Sequence, residues 1–243
     1  ISELKLQIAN CVYRMGVGGL HSSEKKTTHV SDSTFDLIDV DVESFYPRII
    51  LNQGLFPEHI GHMFLRVYAT IIERRLQAKE QSQIYKNNNK EESEWKSTSD
   101  SLKITINGTF GKLGSPYSLM YSPDLLIQVT LSGQLYLLML IEALELAHIN
   151  VVSANTDGIV CRVPKQMRLT FKNIKQQWEN RTRFVLEETH YAMLLSRDVN
   201  NYIAVKKNKD GSLSTKNKGV FANPWKENNS IFRMHKNPVN LIC

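Results

Sequence analysis

The sequence has few cysteines, and their number and spacing exclude two common types of protein. Three cysteines occur among the 243 residues: Cys11, Cys161 and Cys243. An odd number with no metal-like spacing excludes a disulfide-stabilised scaffold and a cysteine-based metal centre. We therefore expect reduced thiols and a cytosolic compartment.

Long hydrophobic runs and a secretory signal are also absent. The most apolar stretch, residues 135–147, is interrupted by Glu142 and Glu145, so it is too short and too charged to span a bilayer. No signal peptide is found. We expect a cytoplasmic protein without a membrane partner. Because the chain starts without Met and stops abruptly, we also expect a piece of a longer polypeptide.

Acidic residues are outnumbered by basic ones. There are 24 Asp and Glu against 30 Lys and Arg, which gives a net charge of +6 and a pI near 9.1. This modest excess favours a polyanionic partner. The apolar fraction of 42% is ordinary for a globular protein that buries a core.

Hydrophobic periodicity predicts an α+β fold, an antiparallel sheet with helices on one face and an inserted two-helix hairpin. Residues 35–42 alternate apolar with acidic, which is typical of a strand, and residues 43–57 resemble a strand exit and loop. The other predicted elements are helices at 1–15, 59–83, 94–110, 122–148 and 168–188, a β-hairpin around 153–160, and three strands within 193–222.

Three acidic residues, Asp39, Asp41 and Asp157, allow a chemical interpretation. Asp39 and Asp41 lie two residues apart and therefore share a strand face, where burial is costly unless a cation compensates. An edge strand with that face in water is the alternative. Asp157 precedes Gly158 between two apolar runs, a hairpin pattern in which turn chemistry alone can explain the acid.

The segment DVESFYPRII at 41–50 resembles the first polymerase motif of family B DNA polymerases, D-x-x-S-L-Y-P-S-I-I. Phe45 and Arg48 depart from that pattern. The matching residues are Asp41, Ser44, Tyr46, Pro47, Ile49 and Ile50.

A second segment, KITINGTFG at 103–111, resembles the K-x-x-x-N-S-x-Y-G motif of the same family. Lys103, Asn107 and Gly111 match, while Gly108 and Phe110 replace Ser and Tyr. The spacing puts a cation, an amide and an aromatic on one helix face, which suits a phosphate, a base edge and a stacked base. A solvated lysine and a helix-capping asparagine are the alternative interpretation.

A third segment, ANTDG at 154–158, resembles the Y-x-D-T-D-S hairpin of the family. Thr156 and Asp157 match, whereas Asn155 stands at the first Asp and Gly158 at the Ser. The resemblance places the essential metal-binding carboxylate at Asp157 and treats the substituted position as the more dispensable one.

Weaker similarities occur outside these motifs. Arg75 and Lys79 fit an R-x-x-x-K pattern on the first fingers helix, with Arg74 as the alternative register. GVGG at 16–19 is similar to a Y-x-G-G linker that touches the template. NNYIAV and KNKGVF resemble a lysine-tyrosine hairpin that holds the primer terminus, with Tyr202 matching and Asn201 at the usual Lys.

The resemblance implies the palm and fingers of a family B DNA polymerase, most like phage or mobile-element members. It implies an exonuclease domain upstream and a thumb that begins near Asn237, so that the thumb is absent here. The implied organisation is an N-terminal helix and linker at 1–30, a first palm part at 31–55, fingers at 56–111 and a second palm part at 112–243.

The resemblance also implies template-dependent transfer of a nucleotide from a dNTP to the 3′-hydroxyl of a DNA primer. Two Mg²⁺ ions, which Mn²⁺ can replace, would be held by Asp41, Asp157 and the carbonyl of Val42. Expected partners are a primer-template, dNTPs, and a terminal protein or another replisome protein. A phage-encoded protein would lie in the host cytoplasm or nucleoid. The implied nucleotide-binding residues are Ser44, Phe45, Tyr46, Arg75, Lys79, Lys103 and Asn107, and the implied DNA-binding residues are Gly18, Gly19, Phe110, Gly111, Asn201, Tyr202 and Lys218.

Two other functions fit parts of the sequence. One is a catalytically silent nucleic-acid-binding module, for which Asn155 is one indication. The other is the palm of a reverse transcriptase or RNA polymerase, but the S-x-Y-P and K-x-x-x-N patterns favour family B.

Overall fold

The computed structural model describes residues 3–85, 88–208 and 210–222, and within them ten strands form one antiparallel sheet. The strand order is β1-β2-β3-β6-β7-β5-β8-β9-β10, and β4 pairs with β8. The strands are β1 Leu4–Ile8, β2 Cys11–Met15, β3 His21–Ser22, β4 Thr27–Val30, β5 Phe35–Val42, β6 Asn150–Asn155, β7 Gly158–Pro164, β8 Leu186–Asp198, β9 Asn201–Lys207 and β10 Leu213–Asn217. The helices are α1 Phe45–Asn52, α2 Met63–Ile84, α3 Asn89–Lys112, α4 Pro123–Leu146 and α5 Arg168–Thr182.

The chain divides into two compact units. The first, which we call the sheet unit, comprises residues 1–43 and 134–243, and the second, the helical unit, comprises residues 44–133. The helical unit is therefore an insertion in sequence between β5 and β6. The division falls inside α4.

Strand β5 lies in the middle of the sheet and has two different faces. Asp36, Ile38 and Val40 point to one face, where Arg168 at the start of α5 forms an ion pair with Asp36. Lys175 of α5 bonds Glu188, which lies opposite Val40. Helix α5 thus covers this face, and the other face carries Leu37, Asp39 and Asp41.

Helix α4 has 24 residues, so it extends beyond the apolar stretch 135–147, and by length and composition alone it could cross a membrane. Its second half behaves as a core helix of the sheet unit. Leu140, Ile141 and Leu144 are completely buried, and the carbonyl of Tyr136 accepts a hydrogen bond from Trp178 Nε1 at 2.9 Å. One such helix is weak evidence for a membrane protein.

The helical unit contains the predicted helical hairpin. Helices α2 and α3 pack against each other, and the Tyr68 hydroxyl donates to the carbonyl of Ile106 at 3.2 Å. The buried side chains Phe64, Tyr68 and Ile72 follow the helical period. The predicted helices at 59–83 and 94–110 are therefore confirmed, with somewhat different ends.

Two predictions of local structure were wrong. Where a helix was predicted at 1–15, the described residues contain the strands β1 and β2, joined by a turn in which Ala9 has φ 49°. The alternation of Leu4, Leu6 and Ile8 has the strand period of two. Residues 45–52, predicted as loop, form helix α1, because Pro47 lies in the first turn, where its missing N–H costs no hydrogen bond.

Other predicted elements are confirmed with changed ends. Helix α4 matches the predicted helix at 122–148, and the three predicted C-terminal strands are β8, β9 and β10. Helix α5 ends at Thr182 instead of residue 188, because Arg183 adopts the left-handed conformation with φ 61°. The predicted start of a thumb near Asn237 lies outside the described residues.

Candidate active site

The sheet brings Asp41 and the turn that carries Asp157 together. Asp41 is the last residue on the face of β5 that also carries Leu37 and Asp39, and it pairs in register with Gly158, the residue after Asp157. The amide of Val42 donates to the carbonyl of Asp157 at 2.8 Å. The antiparallel β5–β7 ladder thus makes neighbours of two acids that lie more than a hundred residues apart in sequence.

The hairpin was predicted, but with Asp157 and Gly158 as the residues of its turn. Asn155 and Gly158 form the closing pair, so the two turn residues are Thr156 and Asp157. Thr156 takes the left-handed conformation with φ 59°. Gly158 is a strand residue, and a Cβ there would lie 2.0 Å from Asp41 Oδ1. The glycine therefore makes room for the Asp41 carboxylate instead of bending the turn.

The Asp41 carboxylate is in an unfavourable environment for an anion. Burial, together with the charge of Asp39, raises the pKa of Asp41 to about 6; Lys216 acts in the opposite direction. Within the described part of the chain, no hydrogen bond or ion pair holds this carboxylate. A bound cation would remove this cost.

Asp157 lies at the surface of the turn. The surrounding chain still removes part of its hydration, and this desolvation raises its pKa against the opposing effects of its own backbone amide and of Lys216. Two neighbouring carboxylates with raised pKa values are an arrangement that favours a metal ion.

Asn155 has a structural function that explains why it is an amide. Its Nδ2 donates to the carbonyl of Val199 at 3.0 Å, and its Oδ1 accepts from the Thr156 hydroxyl at 3.1 Å. An aspartate could not donate the first of these bonds. Asn155 therefore joins the turn to the segment between β8 and β9.

The glycine-rich segment at residues 16–19 packs beside this turn. A Cβ on Gly19 would lie 2.8 Å from the Cα of Thr156, and the Thr156 amide donates to the carbonyl of Leu20 at 2.8 Å. The buried side chain of Gln134 bonds the amide and carbonyl of Gly16, at 3.2 and 2.8 Å, and the carbonyl of Gly18. Gln134 thereby fixes the segment that supports the turn.

A cleft of about 600 Å³ opens at this segment. Arg14, Gly18, Gly19 and His21 line one part of it, and residues 198–200 line another. Gly18 and Gly19, predicted to bind DNA, therefore face a space within the sheet unit.

The three residues near the C-terminal strands that were predicted to bind DNA differ in their burial and in their contacts. Asn201 bonds Asp198 through Nδ2, at 2.7 Å, and accepts from the amide of Val220 at 2.8 Å, so it fixes a turn as no lysine would. Tyr202 is partly buried, and its carbonyl accepts from the amide of Lys218 at 2.9 Å. Lys218 is exposed, and its charge acts on Asp157.

Sequence reasoning missed two residues of this region. Lys216 lies on β10, two residues before Lys218, and its Nζ is 3.5 Å from Asp39 Oδ2. The strand period of two would have indicated that Lys216 and Lys218 share a face. Gln134 had no local signal, because its partners are more than a hundred residues away.

Within the helical unit, Arg75 and Ser44 are joined. Ser44 precedes α1 with φ 52°, and Arg75 Nη1 of α2 donates to its hydroxyl at 2.7 Å. Arg75 Nε is buried without a hydrogen-bond partner. Lys79 lies one turn further along the same face and is partly buried, whereas Arg74 is exposed. The arginine that meets Ser44 is therefore Arg75.

Tyr46 is held by aromatic and small residues. Its ring stacks on Phe110 of α3 with 4.5 Å between centroids, and Phe45 lies 5.9 Å away on α1. A Cβ on Gly133 would lie 3.2 Å from both the Phe45 and the Tyr46 ring. The first and second sequence motifs thus meet through Tyr46 and Phe110.

The remaining residues of the second motif share one face of α3. Lys103, Asn107 and Gly111 lie four residues apart in turn, and all three are exposed. Asn107 lies inside α3, which continues to Lys112, so it is not a C-terminal cap. This face offers a cation and an amide to solvent.

No protein-family model and no curated protein matches the sequence. Among solved structures, the fold is similar to that of the family B DNA polymerase from the hyperthermophilic archaeon Pyrobaculum calidifontis, with a TM-score of 0.57 and 17% identity. The similarity covers 81% of this chain and 28% of the polymerase chain. At this identity it shows the fold, a polymerase-like palm with a large antiparallel sheet.

Proposed function

We propose that the chain is the palm and fingers of a DNA-directed DNA polymerase that transfers nucleotides from dNTPs to a primer 3′-hydroxyl. The observation that supports this most is the register of β5 on β7, which puts Asp41 beside the Asp157 turn in a palm-like sheet. Nucleotidyl transfer needs little side-chain chemistry beyond carboxylates that hold divalent ions. The likeness to an archaeal enzyme gives no support for a phage or mobile-element origin, which stays a prediction.

The residues at the turn fit a divalent cation. Oxygen ligands suit Mg²⁺, which keeps several waters and needs few protein carboxylates. Asp41 and Asp157 would hold it with the carbonyl of Val42, and Mn²⁺ could replace it. When bound, such ions would activate the attacking hydroxyl and neutralise the leaving pyrophosphate. Asp41 itself supplies a carboxylate whose pKa is raised by burial and by the neighbouring Asp39, an effect that Lys216 opposes and that a bound cation would oppose further.

The helical unit would bind the nucleotide. Arg75, Lys79 and Lys103 would contact the triphosphate, since charge-assisted hydrogen bonds are the strongest that a protein offers to phosphate. Ser44 orients Arg75 through their hydrogen bond. Tyr46, fixed by its stacking on Phe110 and flanked by Phe45, would lie under the sugar, and Asn107 would face the base.

The duplex would be bound mainly through phosphates, without sequence preference and with strong salt dependence. Lys218 supplies an exposed cation next to Asp157. We expect a primer-template as the partner, with a terminal protein or another replisome protein as a further one, and a cytoplasmic location. The other residues that we propose to contact DNA are Gly18, Gly19, Phe110, Gly111, Asn201 and Tyr202.

The experiment is primer extension with Asp157→Ala. In the full-length protein we expect extension of a primer with dNTPs and Mg²⁺ but not with NTPs, and we expect the variant to lose this activity with an unchanged circular dichroism spectrum. Asp210→Ala is the matched control, because Asp210 also precedes a glycine in a turn of the sheet unit. Undiminished extension by Asp157→Ala would contradict the proposal.

A catalytically silent nucleic-acid-binding module is the second candidate. It is favoured by Asn155, which replaces an acid, and by the lack of a cluster of three metal-binding side chains in the described part of the chain. Binding of primer-template with neither extension nor Asp157-dependent Mn²⁺ binding would support it.

A further inference from the structure

A second buried acid lies beside the proposed metal site but is occupied by protein groups. Asp39 shares the face of Asp41 on β5 and is only 5% exposed. The hydroxyl of Tyr191 on β8 donates to Asp39 Oδ2, and Lys216 Nζ of β10 lies 3.5 Å from the same oxygen. We call Asp39, Tyr191 and Lys216 the Lys216 cluster.

Lys216 carries a persistent positive charge within this cluster. Burial alone would lower the pKa of its ammonium, but Asp39, Tyr202 and Asp41 outweigh burial and raise it. Lys216 Nζ also lies 3.4 Å from the Tyr191 hydroxyl and hydrogen-bonds Tyr202. Contacts from β5, β8 and β9 therefore fix the position of the ammonium.

The charge of Lys216 acts on more than its direct partner. It attracts the carboxylates of both Asp41 and Asp157, neither of which forms an ion pair with it. Considered alone, the three carboxylates Asp39, Asp41 and Asp157 and the Lys216 ammonium have a formal charge of minus two. Without the lysine the charge would be minus three, and without Asp39 it would be minus one.

We propose that Lys216 and Asp39 together set the affinity of the Asp41–Asp157 site for divalent cations. Lys216 is the fixed counter-charge that weakens cation binding, and Asp39 with Tyr191 holds the ammonium away from the two ligands. Both are positioning residues. The inference rests on the proposed function, since it takes Asp41 and Asp157 as the ligands.

The two residues should act in opposite directions. In Lys216→Met the counter-charge is lost and Asp39 adds its unpaired charge, so the cation should bind more tightly. In Asp39→Asn the ammonium loses its ionic partner and can turn to Asp41 or Asp157, where it competes with the cation. The double variant restores the wild-type formal charge of minus two and should bind the cation about as tightly as the wild type.

The test is a titration of the full chain with Mn²⁺ at low ionic strength, with free Mn²⁺ measured by electron paramagnetic resonance. For charges a few ångströms apart near a protein surface, we expect a shift of about tenfold in Kd for each single variant. The expected order of affinity is Lys216→Met, then the wild type and the double variant together, then Asp39→Asn. Thermal unfolding and circular dichroism identify any variant that does not fold.

Lys207→Met is the matched control. Lys207 lies on the neighbouring strand β9 and bonds Ser31 instead of the carboxylates, so its loss should not change the Kd. Single variants that shift the Kd in the same direction, or leave it unchanged, would overturn this inference while Asp157-dependent Mn²⁺ binding persists. Failure of the wild type to bind Mn²⁺ in a manner that Asp157→Asn abolishes would overturn the proposed site itself.

Discussion

Tyr46 shows how one side chain could determine which sugar is accepted. Its ring is fixed by Phe110 at 4.5 Å, and a rigid ring under the sugar would collide with a 2′-hydroxyl. We expect Tyr46→Ala to accept ribonucleotides, with discrimination between dNTP and NTP falling by about tenfold or more, since a steric collision costs on the order of 1–3 kcal/mol. Competing kcat/KM values for dCTP and CTP measure this.

The control for Tyr46→Ala is Tyr46→Phe, which keeps the ring and removes the hydroxyl. It should discriminate as the wild type does. If Tyr46→Ala keeps the full preference for deoxyribonucleotides, the selecting group is a different residue.

For Asn155 we expect the opposite of what the resemblance to the family B hairpin motif would suggest. Replacement by Asp would match the first acid of the family B hairpin motif that this segment resembles, but it would remove the donor to the carbonyl of Val199 and add a charge near Asp157. We expect Asn155→Asp to lower the free energy of unfolding by about 1 kcal/mol, because the Val199 carbonyl is only partly buried and loses its donor, without raising extension activity. Urea denaturation measures the change in stability, and primer extension measures the activity. A variant that is more stable than the wild type would contradict the first expectation, and a more active variant would contradict the second.

At the scale of elements, the glycine-rich segment and the hairpin turn act as one packed contact. A Cβ on Gly19 would meet the backbone of Thr156, whereas a Cβ on Gly18 would meet nothing within 4 Å. We expect Gly19→Ala to lower the free energy of unfolding by about 1–3 kcal/mol through overpacking.

Gly18→Ala is its matched control and should stay within about 0.5 kcal/mol of the wild type, as exposed substitutions usually do. The two variants differ by one position in sequence, so equal effects in urea denaturation would show that the close approach of residues 19 and 156 is not the cause.

The elements also show what sequence can predict. Strand β5 alternates apolar with acidic residues, the hairpin β6–β7 has an Asp-Gly pair between two apolar runs, and helix α4 is a long apolar segment; all three were predicted. The N-terminal hairpin was predicted as a helix although Leu4, Leu6 and Ile8 alternate, because an apolar segment this short is compatible with either a helix or a strand. Acids that match family motifs were found, whereas Lys216 and Gln134 act through partners on distant segments, for which local patterns carry no information.

For the whole molecule, the ion pair between Asp36 and Arg168 joins the sheet to α5. The hydrogen bond from Arg168 lowers the pKa of Asp36. Because the carboxyl pKa is lower in the folded than in the unfolded protein, ionised Asp36 stabilises the fold at pH values above the unfolded-state pKa of about 4. This stabilisation is lost as the pH falls through the folded-state pKa. We expect Arg168→Gln to reduce the free energy of unfolding at pH 7 only slightly, because Arg168 is largely exposed and solvent screens the ion pair.

This deficit should shrink towards zero as the pH falls below about 4, where Asp36 becomes protonated in both proteins. Urea denaturation at several pH values measures it. Arg181→Gln, on the same helix, should show no such dependence. A deficit that stays constant with pH would mean that Arg168 acts through packing and not through its charge.

The distance in sequence between β5 and its two neighbours has a consequence for synthesis of the chain. Strand β5 is complete at Val42, but its neighbours β7 and β8 begin only at Gly158 and Leu186. More than a hundred further residues must therefore be synthesised before either edge of β5 can form its native hydrogen bonds. At usual ribosomal speeds this takes several seconds or longer, during which an apolar strand can pair with another chain. Three acids, Asp36, Asp39 and Asp41, interrupt the apolar run of β5. We expect their negative charges to oppose pairing of the unfolded strand with other chains, in addition to their contacts in the folded protein.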